Sequence, residues 1–175
     1  MRLPDLTRPR TLAPVAIALG VALMLAIGVT LLPGRGRAQD AACDGTPYTE
    51  VDIETRPRID LELARTPQEH EVGLMYRESL PPDSGMLFIY QAPSREGYWM
   101  YHTLIPLSIA WIDQDGTIVD IQDMARLDDP NDVREASLHV YTPAAPYWYA
   151  LEVNQGWFEA HGVGVGQRMT FCLPM

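Results

Sequence analysis

The stretch that decides the fold runs from 107 to 122, Leu-Ser-Ile-Ala-Trp-Ile-Asp-Gln-Asp-Gly-Thr-Ile-Val-Asp-Ile-Gln. Two apolar segments, Leu107 to Ile112 and Thr117 to Gln122, flank Gln114-Asp115-Gly116. Both are rich in β-branched residues, and the glycine can take the positive φ that a tight hairpin requires. The spacing therefore predicts an antiparallel hairpin and a β-rich domain around it.

Strand signals recur on both sides. Val51 and Ile53 alternate with Asp52 and Glu54, and Ile59, Leu61 and Leu63 alternate with Asp60 and Glu62. This is the period of a half-buried strand. Met86 to Tyr90, Tyr98 to Thr103, Leu138 to Tyr141, Tyr147 to Val153 and Gln167 to Leu173 read as further strands. One helix is well signalled: Thr66 can cap it, Pro67 fits its first turn and Glu69 can close a capping box. Val72, Met75 and Tyr76 would share its inner face, with the end near Glu78. Asn154 is positioned to cap a second, short helix over 155–160. Residues 123–135 are acidic, contain Pro130 and read as an exposed loop. The expected architecture is a mainly β, compact antiparallel barrel or sandwich with one or two short helices.

Ahead of this domain, residues 14–32 are almost all apolar and carry no charge. Nineteen residues suffice to span a hydrocarbon core as a helix. Arg2, Arg8 and Arg10 precede the run, which favours a cytoplasmic N-terminus. Gly36-Arg37-Ala38 offers a small-x-small cleavage pattern. Residues 1–38 are thus either a signal peptide or an N-terminal membrane anchor; a buried core helix is the plainer alternative. Residues 39–47 form a linker, and 48–175 a single domain placed outside the cytoplasmic membrane.

Residues 1–38 hold five arginines and one aspartate, so the remainder carries eight basic and 22 acidic side chains, a net charge of −14. The chain contains no lysine. Such a surface repels nucleic acid, so no nucleic-acid partner is expected. Cys43 and Cys172 lie near the two ends of the domain. In an oxidising compartment they could pair, with a loop worth about 4–5 kcal/mol on the chain-entropy account. Two unpaired thiols are the alternative.

Several motifs follow one another in order: Ala64-Arg65-Thr66, Gly73-Leu74-Met75, Gly85-Met86-Leu87-Phe88, Tyr98-Trp99-Met100, Pro106-Leu107-Ser108-Ile109 and Ala150-Leu151-Glu152-Val153, with glycines at 156, 162 and 166. In this the chain resembles domain-of-unknown-function family 192, also known as uncharacterised protein family 0127. The resemblance implies a compact β-rich fold and leaves the activity open. It also marks departures. Where the family pattern runs aromatic-Trp-Met-Lys-Asn-Thr, this chain has Tyr101 and His102 in place of Lys and Asn. The frequent Asp of Pro-Leu-Asp-Ile is Ser108.

Three site readings remain open. Exposed aromatics can stack on sugar rings or peptide side chains, and Trp99, Tyr101 and Trp148 are the candidate ligand-binding residues. Glu152 falls inside an apolar strand. It is either half of a buried ion pair, with Arg65 or Arg77 as partner, or a general acid acting with His102, Asp113 or Asp120. Met75, Met86, Met100 and His102 offer soft ligands for Cu(I), against the plainer reading of methionine as core filler. Metalloprotease, phosphate-loop, serine-elbow and paired-cysteine signatures are absent, and no cofactor is expected. His70, His139 and His161 read as surface or capping residues. The leading expectation is a non-catalytic binding or accessory module for a cell-envelope ligand or protein partner. An envelope-polymer hydrolase and an extracytoplasmic Cu(I) carrier are the alternatives.

Overall fold

The computed structural model describes residues 46–52 and 56–174. The segment proposed as signal or anchor, the linker up to residue 45, Cys43 and Ile53 to Thr55 lie outside the described residues. Among the described residues no helix is long and apolar enough to cross a membrane.

Among the described residues seven strands form one sheet: β1 (Tyr48–Val51), β2 (Arg58–Ala64), β3 (Ser84–Ser94), β4 (Leu107–Ile112), β5 (Ile118–Met124), β6 (Tyr147–Asn154) and β7 (Met169–Cys172). The strand order is β5-β4-β6-β3-β2-β1-β7. Every pairing is antiparallel except β2–β3, which is parallel with Leu61 opposite Gly85 and Ala64 opposite Phe88. That pairing needs a crossover, and α1 (Pro67–Val72) lies within it. The expected mainly β class therefore holds, as a single mixed sheet rather than a two-sheet sandwich.

The sheet curls until its edges approach. Thr117 and Arg168 form an isolated bridge, Ile118 N–H donates to the Gln167 carbonyl, and Met169 N–H donates to Gly116. The 113–117 hairpin makes this approach possible. Asp113 Oδ1 accepts from the backbone of Asp115 and Thr117, and Gly116 adopts φ 87° with its Cα facing the Met169 carbonyl. A side chain at 116 would meet both a forbidden φ and that carbonyl.

Apolar side chains fill both faces. One cluster holds Val51, Ile59, Leu61, Leu87, Ile112 and Leu151, closed by Trp157 and Phe158 of α3 (Trp157–Ala160). The other holds Met86, Phe88, Met100, Ile109, Trp111, Tyr147 and Ala150, and is covered by the loops. Alternation along β4 and β6 sends neighbouring residues to opposite clusters.

Local departures have local causes. The helix begins with the expected capping box: Thr66 Oγ1 accepts from Glu69 N–H, and the Glu69 carboxylate accepts from Thr66 N–H at 2.8 Å. Those backbone donors hold the Glu69 pKa below its ordinary value, the Arg65 N–H first and the Thr66 N–H next. The helix ends at Val72 rather than near Glu78, because Gly73 turns to φ 46°, and a Cβ there would lie only 3.2 Å from the Phe88 ring. Leu74 becomes the buried residue, leaving Val72 and Tyr76 exposed and Met75 half-buried.

Tyr98 to Thr103 is not a strand. Only Tyr98 bridges, to Tyr141, and the chain then folds into a turn with Thr103 N–H donating to the Met100 carbonyl. The expected strand at Leu138 to Tyr141 is instead the end of α2 (Val133–Leu138) followed by that bridge. This helix arises inside the acidic loop because Asp132 caps it, its carboxylate accepting from Arg134 and Glu135 N–H. Asn154 does not cap α3. Its side chain donates to the Leu80 and Pro81 carbonyls, and Gly156 in left-handed conformation starts the helix.

Candidate ligand-binding site

The turn Met100–Thr103 is pinned from below. Met100 is fully buried, and Thr103 is nearly so, its hydroxyl donating to the Tyr101 carbonyl. The two residues between them are half-buried, and Tyr101 packs against the core cluster. Tyr101 and His102 rings stack with centroids 3.8 Å apart, and Trp99 lies 5.4 Å from Tyr101. Tyr76 joins from the exit of α1, its ring 4.7 Å from His102 and its hydroxyl 2.5 Å from His102 Nδ1. Trp99, Tyr101, His102 and Tyr76 thus form a continuous array. Its two ends are open to solvent, Trp99 at 41% and Tyr76 at 62% exposure.

The backbone beneath the array is under tension. Tyr76 has φ 63° and His102 φ 54°, both non-glycine residues in the left-handed region. Each such residue costs on the order of 1 kcal/mol or more and persists only where its surroundings hold it. Here they hold each other: Tyr76 N–H donates to the His102 carbonyl, and His102 N–H donates to the Pro130 carbonyl. The positive φ also explains position 102. Asn and His are both enriched in this conformation, so a family Asn replaced by His102 preserves the turn. The exchange changes what the turn displays, an imidazole in place of an amide, rather than abolishing a site.

Trp148, the third residue expected in the groove, lies at the start of β6, and no ring contact joins it to Trp99 or Tyr101 among the described residues. The sequence reading missed Tyr76, which was assigned to the inner face of the helix. The signal that could have found it is Gly73, which stops the helix before Tyr76.

Glu152 occupies a different place. It lies opposite Met86 on one side and Ile109 on the other, in the apolar cluster beneath the loops. The carboxyl has no hydrogen bond or ion pair among the described residues, and burial raises its pKa to about 8. Its expected partners are engaged elsewhere. Arg77 forms a forked pair with Glu62 at 2.5 and 2.6 Å, and Arg65 donates to the Pro174 carbonyl. Tyr98 feels the Glu152 charge. Burial, followed by the neighbouring phenols and Glu152, raises the Tyr98 pKa, and the Tyr90 and Tyr98 hydroxyls bond to each other at 3.0 Å. Trp111 Nε1 is buried without a hydrogen-bond partner. No interaction connects Glu152 with His102. Asp113 builds the hairpin turn, and Asp120 accepts from Ile121 N–H, Gln122 and Ala144 N–H.

Met86 and Met100 belong to the same core cluster, while Met75 is half-buried and His102 lies in the surface array. Among the described residues no group of three or more His, Cys, Asp or Glu side chains converges in a way that could hold a metal ion. Ser108, where the family favours Asp, is buried and donates to Asp123 while accepting from Gly156 N–H. It ties β4 to β5 and to the start of α3, so its role here is structural. His139 and His161 place Nδ1 against carbonyls one turn back at the ends of α2 and α3, and His70 Nε2 meets the Ala64 carbonyl. Cys172 Sγ lies 3.6 Å from the Thr46 carbonyl; its pairing with Cys43 falls outside the described residues.

A cleft of about 560 Å³ opens between the Leu80–Asp83 segment and α3. Two of its polar side chains, Asp83 and Asn154, are already engaged. Asp83 accepts from Trp157 Nε1 at 3.0 Å, and the Asn154 amide holds two carbonyls. The aromatic array, open to solvent at Trp99 and Tyr76, is the better candidate.

The chain matches DUF192, described as "Uncharacterized ACR", over residues 49–171, and it belongs to that family. Its fold is similar to a solved chain from Sinorhizobium meliloti 1021 described as a "putative transcription regulator", with 29% identity, TM-score 0.63 and coverage of 72% of this chain and 93% of that one. It is likewise similar to a protein of unknown function from Novosphingobium aromaticivorans DSM 12444, with 29% identity, TM-score 0.62 and coverage of 71% and 83%. No curated protein matches the chain.

Proposed function

We propose that this protein is a non-catalytic binding module displayed outside the cytoplasmic membrane, and that the Trp99–Tyr101–His102–Tyr76 array is its binding surface. The observation that supports this reading is the pairing of two left-handed residues, Tyr76 and His102, which keep polar aromatic rings at the surface at a conformational cost. Strain of this kind collects at functional sites, and amphipathic aromatics with polar tips suit stacking against sugars or peptide side chains. Export is supported by the apolar run at residues 14–32, and a Cys43–Cys172 link by the closeness of Cys172 to Thr46. The acidic net charge speaks against a DNA partner, whatever the description of the Sinorhizobium chain.

A thermal-shift screen against cell-wall sugars, peptides, Cu(I), Zn(II) and Ca(II) tests this reading, since a ligand of the folded state raises the melting point. A glycan or peptide shift that vanishes in Trp99→Ala supports it. A Cu(I) shift that vanishes in Met100→Leu would favour the carrier instead. A second reading, hydrolysis with Glu152 as acid, draws support from its raised pKa, which keeps much of it protonated at neutral pH. Turnover of an envelope polymer abolished by Glu152→Gln would favour that reading over a binding module.

A further inference from the structure

Six large apolar side chains are exposed on three segments that adjoin the array: Val72 and Tyr76 at α1 and its exit, Trp99 in the loop after β3, and Val133, Leu138 and Val140 on and after α2. These segments are joined edge to edge. Tyr76 N–H reaches the His102 carbonyl, and His102 N–H reaches Pro130, three residues before Val133. Tyr98 bridges Tyr141, and Gly97 is so close to Val140 that a Cβ there would lie 2.5 Å from its side chain. Leu138 is 82% exposed at the end of a helix that buries only Ala136. Concentrations of exposed apolar residues mark interaction surfaces. The charge around them is one-sided. Asp128, Asp129, Asp132 and Glu135 outnumber Arg126 and Arg134, in a domain without lysine.

We infer that the surface running from the aromatic array over α2 docks a partner protein through an amphipathic segment with apolar anchors and basic flanks. The inference rests on the array being a binding surface and extends it to a partner class. Apolar anchors would cover Leu138, Val140 and Trp99, and lysine or arginine side chains would meet the α2 carboxylates. Cationic groups would also gain by lying over the open Trp99 and Tyr76 rings. Complementary charge of this kind chiefly sets partner choice and association rate.

The test uses a labelled synthetic helix of two Leu-Lys-Lys-Leu-Leu-Lys-Leu repeats, its Glu-for-Lys counterpart, and fluorescence anisotropy on the purified protein. The Lys peptide binds and weakens as salt rises to about 0.5 M, and the Glu peptide fails to bind. Leu138→Ser and Val140→Ser each weaken binding about tenfold, as truncating an apolar anchor does. Val165→Ser, an exposed apolar residue on the 162–168 loop, has no effect. Equal binding of the two peptides, or equal loss in Val165→Ser, overturns the inference. If Trp99→Ala abolishes binding and the α2 variants do not, the extended surface falls while the array reading stands. If none of the three matters, the docking inference falls, and the array reading is decided by the sugar and peptide screen. Self-association in sedimentation, lost in Leu138→Ser, would assign the surface to a second copy of the chain and overturn the basic partner.

Discussion

Glu152 and His102 were candidates for one site, and the structure gives them opposite circumstances. Glu152 lies at the middle of the sheet, between Met86 and Ile109, with relaxed strand geometry and no polar partner among the described residues. His102 lies at the margin, with strained backbone and five interactions: the Tyr76 hydroxyl, two rings, the Pro130 carbonyl and the Tyr76 N–H. The buried group is perturbed by what it lacks, the surface group by what holds it. A shifted pKa alone therefore marks burial here, whereas mutually supported strain marks a surface the fold maintains.

The sharpest way to break this contrast is the pH dependence of Glu152. Its folded pKa is raised to about 8, above the ordinary glutamate value of about 4.3 in the unfolded chain. The unfolded chain loses the proton first, so this residue's contribution to stability falls as pH rises from about 4.3 to about 8 and is flat above that. Glu152→Gln removes the titration. Urea melts should show the variant close to wild type at about pH 4 and more stable at about pH 9, by on the order of 5 kcal/mol. A constant difference between the two curves would mean that Glu152 has a charge partner in solution.

Next in size is the anchor beneath the array. Met100→Ala empties a fully buried position and should cost about 2–5 kcal/mol in the same melts. A cost under about 1 kcal/mol would show that the turn is not held from below. Gly116→Ala tests the closing hairpin, where φ 87° and the Met169 carbonyl oppose a side chain. A loss of about 1–3 kcal/mol is expected, and a neutral result would place the strain elsewhere. The smallest effect is at position 102. His102→Asn keeps a residue tolerant of positive φ and should change stability by less than about 1 kcal/mol, whereas His102→Val should cost clearly more. Equal costs would show that the rings, rather than the backbone, dominate the turn.

Most of the strand content was legible in sequence. Alternation at Ile59, Leu61 and Leu63 and the Gln114-Asp115-Gly116 turn reported local physics that the sheet retains. The parallel β2–β3 pairing was not, because a capped helix between two strands announces a crossover only once partners are known. Tyr98 to Thr103 looked like a strand because it is aromatic. Its fold is decided by Met100 entering the core and by His102 taking a positive φ, and neither shows in composition. Trp99 and Tyr101, singled out for their chemistry, lie side by side as rings, but the neighbouring Tyr76 was hidden by helical spacing that Gly73 interrupts. The acidity of 123–135 was plain, but the helix that Asp132 caps within it was not.

Trp99, at one open end of the array, reports directly on whether the array is a binding surface. Trp111 and Trp157 are buried and serve as internal references. The indole N–H resonances of the ¹⁵N-labelled protein can be followed while peptidoglycan fragments, and separately the Leu/Lys peptide, are added. The account predicts that the Trp99 signal moves saturably with at least one of them while Trp111 and Trp157 stay fixed. A Trp99 signal that never moves, or that moves no more than those of the buried indoles, would contradict it.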